Sequence, residues 1–218
     1  MRISKITEKI KDTLEDDNLT ALILVGSLQD DKSSSNTWKM ANWVAKEMKK
    51  VDSSINIKIV LLSKMDLVPG LEAEIPGKED DGERLYSMIE EADIVVMSTP
   101  IWWGEPSSLI QRVIERLDGF DNYYLDTGEN KIYGKVFGVS VFGMEDGGQA
   151  CVKRLFAWAS FLGFTIPPEA SAMWIGEVSK GGSFDDAQNN EGTQSMVKTM
   201  AKNLVKMSKI LKANPINE

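Results

Sequence analysis

Apolar and polar positions along the chain follow two alternating patterns. Short continuous apolar runs read as strands buried on both faces: Ala21 to Val25, Ile55 to Leu62, Ile94 to Met97 and Lys135 to Phe142. A fifth strand is expected between Phe164 and Ile175, where Pro167 and Pro168 interrupt the pattern. Helical spacing fills the intervals. Asn36 or Thr37 can cap a helix reaching about Lys50, and another spans Asp81 to Glu91. Pro106 is expected to open a third, with Leu109, Ile110, Val113, Ile114 and Leu117 on one face and Gln111, Arg112, Glu115 and Arg116 on the other. Gln149 to Leu162 carries Val152, Leu155, Phe156, Ala159 and Leu162 on its apolar side. In the last helix, over residues 190–213, Met196, Met200, Leu204, Met207 and Leu211 form the stripe. Ile3, Ile6, Ile10 and Leu14 give a helical extension within residues 1–18. Residues 63–78, 119–134 and 177–192 read as irregular, the second as a long surface loop.

Strand and helix alternating in this way demand a parallel sheet with helices on both faces. The expected architecture is α/β, a flavodoxin-like three-layer sandwich with a five-stranded parallel sheet in the order 2-1-3-4-5. Its ligand edge lies at the carboxyl ends of the first and third strands. No repeat or domain-scale linker interrupts residues 1–218, which read as a single domain.

Composition narrows the function. A net charge of −8 argues against a nucleic-acid partner, since phosphate contacts need clustered cations. No basic patch suited to anionic lipid and no Arg-rich patch suited to a 2′-phosphate is visible. No apolar run approaches the ~20 residues of a membrane span. Charges interrupt the first residues as they would not in a signal peptide. A cytoplasmic protein without a membrane partner is expected. The single cysteine, Cys151, excludes an internal disulfide and a cysteine-ligated iron–sulfur cluster within one chain. There is no histidine, which excludes Ser-His-Asp and Cys-His machinery and the His-bearing zinc sites. An enzyme built from these residues would borrow its chemistry from a cofactor.

Three loops fall at the expected ligand edge. The first, Gly26 to Thr37, holds Ser27, Ser33, Ser34, Ser35, Asn36 and Thr37 before a helix, a set able to hold a phosphate monoester. It lacks the Gly-Lys-Ser/Thr of a nucleotide triphosphate loop and the glycines of a dinucleotide fingerprint. The second, Thr99 to Ser108, brings Trp102 and Trp103, which either wall a flat ring, cover a sheet edge or mark an oligomer contact. The third, Gly143 to Gly148, offers glycines where backbone can approach a ligand, or is a plain turn. In this order the loops describe a flat ring system with a phosphorylated tail.

Here the chain resembles the flavodoxin-like NAD(P)H-dependent FMN reductases from about residue 20 to the C-terminus. GSLQDDKSSSNT (Gly26 to Thr37) is similar to that family's phosphate loop, usually shorter and of the form GSxRxxSNT. TPIWWGEPSS (Thr99 to Ser108) resembles its TPIYWG loop, and VIERLD (Val113 to Asp118) continues the likeness. GMEDGG (Gly143 to Gly148) resembles GNEDGA, and LGFTIPP (Leu162 to Pro168) a matching stretch. The first loop departs from the pattern in its length and in carrying Gln29 or Asp30 where relatives often have Arg.

The resemblance implies noncovalent FMN, with Ser27, Ser35, Asn36 and Thr37 on its phosphate. Pro100, Ile101, Trp102, Trp103 and Gly104 would line the ring edge; Gly143, Glu145, Asp146 and Gly147 would lie near its pyrimidine end. No side chain is assigned as a catalytic acid or base and no residue as a metal ligand. The implied activity is reduction of a small acceptor (a quinone, flavin, nitro or azo compound) with NADH or NADPH as co-substrate. The alternative is a flavodoxin-type electron carrier that does not itself oxidise NAD(P)H. A phospho-receiver on this fold is excluded, because Gly26-Ser27 and Thr99-Pro100 stand where it needs acids. The tryptophan pair and the acidic body lead us to expect a homodimer or higher homo-oligomer.

Overall fold

The computed structural model describes residues 18–144, 146–177, 179 and 182–216. The helix expected in the N-terminal extension falls on residues 1–17, outside the described residues. Five strands, β1 (Thr20–Val25), β2 (Asn56–Leu61), β3 (Ile94–Pro100), β4 (Val136–Gly143) and β5 (Ser171–Ile175), form one sheet in the order β2-β1-β3-β4-β5. All neighbours pair in parallel. The carboxyl ends of β1, β3 and β4 therefore lie side by side.

Seven helices of the described residues complete the layers: α1 (Asn36–Val51), α2 (Gly82–Glu91), α3 (Ser108–Arg116), α4 (Asp118–Thr127), α5 (Gly148–Leu162), α6 (Phe184–Asn189) and α7 (Glu191–Ala213). Alternate residues of the central strands feed opposite cores. Leu22, Leu24, Val95 and Met97 pack with Leu85 of α2 and Ile110 of α3; Ala21, Ile23, Val25 and Val96 pack with Met40 of α1 and Leu204 of α7. This two-sided burial explains why the strands read as unbroken apolar runs.

Several expectations need correction. Residues 119–134 are not one long loop, since α4 occupies most of the segment and stops at Gly128, whose φ of 77° suits a helix terminator. Few of its positions are apolar, so the helical period is faint; Phe120 anchors it by stacking on Tyr86 at 4.4 Å. The polar stretch 177–192 contains α6, which a Ser183–Asp186 capping box starts without any apolar stripe. Pro106 precedes α3 rather than opening it, because the Ser107 hydroxyl accepts from the Ile110 amide as the cap. Arg116, assigned to the polar side of α3, is fully buried. On α7 the buried stripe is centred on Val197, Met200, Ala201, Leu204 and Val205, leaving Met196 and Met207 at its margins.

Candidate functional site

The candidate site begins where β1 ends. The Gly26 amide donates to the Ser98 carbonyl at 2.8 Å, turning the chain out of the sheet. A Cβ on Gly26 would lie 2.5 Å from the Ser107 hydroxyl and from Ile110, so α3 packs this close only because the residue is glycine. The loop then carries the chain to α1, whose cap is Ser35. Ser35 Oγ accepts from the Trp38 amide at 3.1 Å and donates to Ser27 Oγ at 2.8 Å. Ser27 Oγ also accepts from the Gln29 amide. Both hydroxyls are buried, as is Thr37. The amides of Asn36 and Thr37 open α1 and have no intrahelical acceptor, and the helix dipole adds partial positive charge there.

The carboxylates of the loop are occupied elsewhere. Asp31 takes hydrogen bonds from the Ser33 amide (2.9 Å) and hydroxyl (2.6 Å), which hold its carboxyl below the usual range. Asp30 pairs with Lys64 at 2.8 Å, and that contact lowers its pKa too. Ser33 is thereby committed to Asp31, while Ser27 and Ser35 stay with the start of α1. A ladder of buried hydroxyls fixes that start to the sheet: Ser140 Oγ donates to Ser98 Oγ at 2.8 Å, and Ser98 Oγ donates to the Thr37 carbonyl at 3.2 Å.

A cleft of about 260 Å³ opens over these groups. Ser27, Ser35, Asn36 and Thr37 line its polar end, while Pro100, Ile101, Trp102 and Gly143 line the side toward β3 and β4. Four residues that sequence reasoning did not assign also line it: Leu28, Phe142, Met144 and Gly182. Phe142 stacks on Trp174 at 4.8 Å. Leu28 and Met144, exposed apolar residues just past strand ends, carried a detectable signal. Gly182 arrives from a distant loop and carried none.

Trp103, Gly104, Asp146 and Gly147 do not line the cleft, and Glu145 lies outside the described residues. Trp102 to Glu105 form a tight turn closed by reciprocal backbone hydrogen bonds of 2.9 Å. Its central residues, Trp103 (φ 53°) and Gly104 (φ 83°), are both left-handed, which leaves Trp103 91% exposed and Trp102 48% exposed. Gly147, itself at φ 116°, touches this turn: a Cβ there would lie 2.5 Å from Gly104 Cα. The second and third loops thus use glycine to pack on each other. Arg154 from α5 braces the turn through Glu105 at 2.5 Å and Gln111 at 3.1 Å. Cys151 lies beneath, its Sγ 3.5 Å from the Gly104 carbonyl; burial pushes the thiol up to about 11, so it is neither thiolate nor nucleophile at neutral pH. Among the described residues no cluster of side chains could hold a metal ion, and no helix is long and apolar enough to cross a membrane.

Comparison with known proteins places this geometry. The 8-demethyl-8-aminoriboflavin-5′-phosphate synthase of Streptomyces davaonensis is 29% identical over 140 residues, 63% of this chain and 54% of that protein. The divalent metal cation transporter MntH of Mycobacterium bovis is 36% identical over 138 residues, 62% of this chain but 20% of the transporter. The matched region thus spans about half or less of these relatives. Among solved structures, RosB with bound 8-demethyl-8-formylriboflavin-5′-phosphate superposes with a TM-score of 0.79 at 25% identity, over 91% of this chain and 82% of that one. An NADH:FMN oxidoreductase shares the fold at a TM-score of 0.60 and 14% identity, over 88% of this chain and 89% of that one. The profile of the NADPH-dependent FMN reductases matches residues 19–177, from the start of β1 past the end of β5, and the chain belongs to that family.

Proposed function

We propose that the protein binds FMN in the cleft over β1, β3 and β4 and uses it to pass reducing equivalents from NAD(P)H to a small acceptor. The observation that carries this reading is the paired Ser27–Ser35 hydroxyls beside the first amides of α1, with the loop's own carboxylates turned away. That donor set fits a phosphate dianion. Beyond it, the Pro100–Trp102 backbone and the Phe142 ring provide a flat, largely apolar wall suited to a planar ring. The curated relative and the RosB neighbour are named for riboflavin-5′-phosphate derivatives, ligands with the same tail.

In this reading FMN accepts a hydride from the nicotinamide and returns electrons to the acceptor. The chain's residues do the rest. Ser27, Ser35 and the Asn36 and Thr37 amides anchor the phosphate, and the hydroxyl ladder from Ser140 through Ser98 keeps them in place. Ile101 and Phe142 exclude water from the ring's buried side, and Trp102 borders the open side where substrates enter. No side chain need act as an acid or base, because positioning and electrostatics suffice. A second copy of the chain covering the exposed Trp102–Trp103 turn would complete the open side; light scattering should then report a dimer or larger.

The deciding experiment is stopped-flow mixing of FMN-loaded protein with NADH and with NADPH. Bleaching of the flavin within seconds by either nucleotide is expected, as are parallel double-reciprocal lines in steady state with a quinone acceptor. Flavin that stays oxidised for minutes with both nucleotides would leave the electron-carrier reading instead.

A further inference from the structure

A second cleft, of about 450 Å³, adjoins the first on the outer side of α1. Trp38, Trp43 and Phe184 form its aromatic surface, with Trp43 and Phe184 edge-to-face at 5.9 Å. Lys32, Lys39 and Lys46 stand around it, and Lys32 Nζ lies 4.4 Å over the Trp38 ring. Lys39, Asn42, Trp43 and Lys46 share one face of α1 by helical spacing, so folding gathers cations that the sequence scatters. No carboxylate lines this cleft, although the chain carries 33 acidic residues against 25 basic ones. Among the described residues none of the three lysines forms an ion pair, whereas nearby Lys50 and Lys64 are held by Glu47 and Asp30.

Aromatic faces between uncompensated cations form a platform for a planar ring bearing phosphate. The two clefts are neighbours: Ser33 lines this one and Ser34 the first, while the Phe142 ring of the first lies 6.4 Å from Phe184 of the second. A ligand made of two flat rings joined by a phosphate bridge suits such a pair.

We infer that the Lys32–Lys39–Lys46 cleft receives the adenosine-phosphate half of the nicotinamide dinucleotide and reads its terminal 2′-phosphate, so that NADPH is preferred to NADH. This rests on the proposed reductase function for its catalytic consequence but not for binding. The lysines supply charge to the phosphomonoester, and Trp43 and Phe184 present their faces and edges to adenine.

The test uses FMN-loaded protein and the double variant Lys39→Gln/Lys46→Gln, whose exposed positions leave the core untouched. Calorimetry with 2′,5′-ADP should find binding to the wild type at least tenfold tighter than with 5′-AMP, and the double variant should lose that difference. In steady state the ratio of kcat/KM for NADPH to that for NADH should fall at least tenfold in the variant. Equal binding of 2′,5′-ADP and 5′-AMP to the wild type, or a ratio unchanged by the double substitution, overturns the inference while leaving the reductase reading intact. Lysine-dependent binding of 2′,5′-ADP to a protein that oxidises neither nucleotide supports the site and overturns the reductase reading. Inorganic phosphate at the same concentration separates recognition of the whole nucleotide from simple anion attraction: competition as effective as that of 2′,5′-ADP would overturn the adenosine assignment.

Discussion

Two segments leave the carboxyl edge of the sheet beside each other and solve the same problem in opposite ways. The segment after β2, residues 62–81, is long and irregular, yet a single side chain from elsewhere fills its interior. Arg116 at the end of α3 donates from Nε to the Glu72 carbonyl at 2.7 Å, from Nη2 to the Ala73 carbonyl at 2.7 Å, and from Nη1 to the Val68 carbonyl at 3.1 Å and to Asp80. Asp80 in turn accepts from the Val68 and Gly82 amides at 3.0 and 2.8 Å. The segment after β1, residues 26–35, also folds around polar groups, but its converging donors end at an open cleft. One loop carries its ligand within the chain; the other leaves a place for one. A long polar loop at this edge is therefore no evidence of a binding site by itself, and the difference lies in whether its donors are already satisfied.

The comparison breaks most severely at Arg116. Arg116→Met leaves Asp80 and three carbonyls buried without partners, and removing one side of a buried pair costs about 3–5 kcal/mol. Urea unfolding should report that loss, with limited proteolysis cutting first within residues 66–79. The pair also sets an acid limit. The Arg116 guanidinium beside Asp80, helped by the Gly82 and Val68 amides, holds its carboxyl below the ordinary value. A lowered folded-state pKa adds stability that is complete above the unfolded value of ~4 and disappears as pH falls through the folded value. Wild-type melting temperature should therefore drop steeply below pH ~4. Asp80→Asn, less stable at neutral pH, should show a shallower acid limb over the same range. Parallel limbs would mean that other carboxylates govern acid unfolding.

Loss of the Ser35 hydroxyl is the next largest effect and sharpens the comparison from the other side. Ser35→Ala removes a helix cap, at about 1 kcal/mol of stability. It also removes a phosphate donor, at about 1.5–3 kcal/mol of FMN affinity, or roughly ten- to a hundredfold in Kd. Ser33→Ala, in the same loop but turned to Asp31, should change FMN affinity by less than about twofold, since its hydroxyl is spent within the protein. Flavin fluorescence titration of both variants reads the contrast directly. Equal losses would show that the loop rearranges when ligand binds.

Much of this was legible before the fold. Strands buried on both faces write themselves as ALILV and IVVMSTP, and five alternations leave few topologies open. The cap at Ser35 and the hydroxyl-rich loop were visible for the same reason, because caps use few residue types. Arg116 was not. Its neighbours on the helical wheel are polar, and only a segment more than thirty residues earlier in the chain (Val68 to Asp80) makes its burial tolerable. The helices α4 and α6 were missed because tertiary contacts and a capping box, not an apolar stripe, sustain them. Trp103 was placed against the ring by resemblance, but the turn that carries it points the side chain outward. Nothing in the letters WWGE separates those outcomes until backbone hydrogen bonds close the turn.

That turn supplies the smallest of the expected effects. Two-residue turns with both central residues left-handed are the natural choice of Asn-Gly, and Trp103 occupies the asparagine position at φ 53°. A bulky L-residue held there costs on the order of 1 kcal/mol, and with 91% of its surface exposed Trp103 recovers little by burial. Trp103→Asn should therefore leave the free protein equally stable or up to about 1 kcal/mol more stable in urea. FMN affinity should hold, because Trp103 does not line the cleft. If the strain is retained to present an aromatic ring to an acceptor or to a second copy of the chain, the same variant should change acceptor preference or weaken self-association. A clear loss of stability in the monomeric protein would instead mean that the contacts of Trp103 outweigh its backbone strain, and the turn would then join the segment after β2 as a loop satisfied from within.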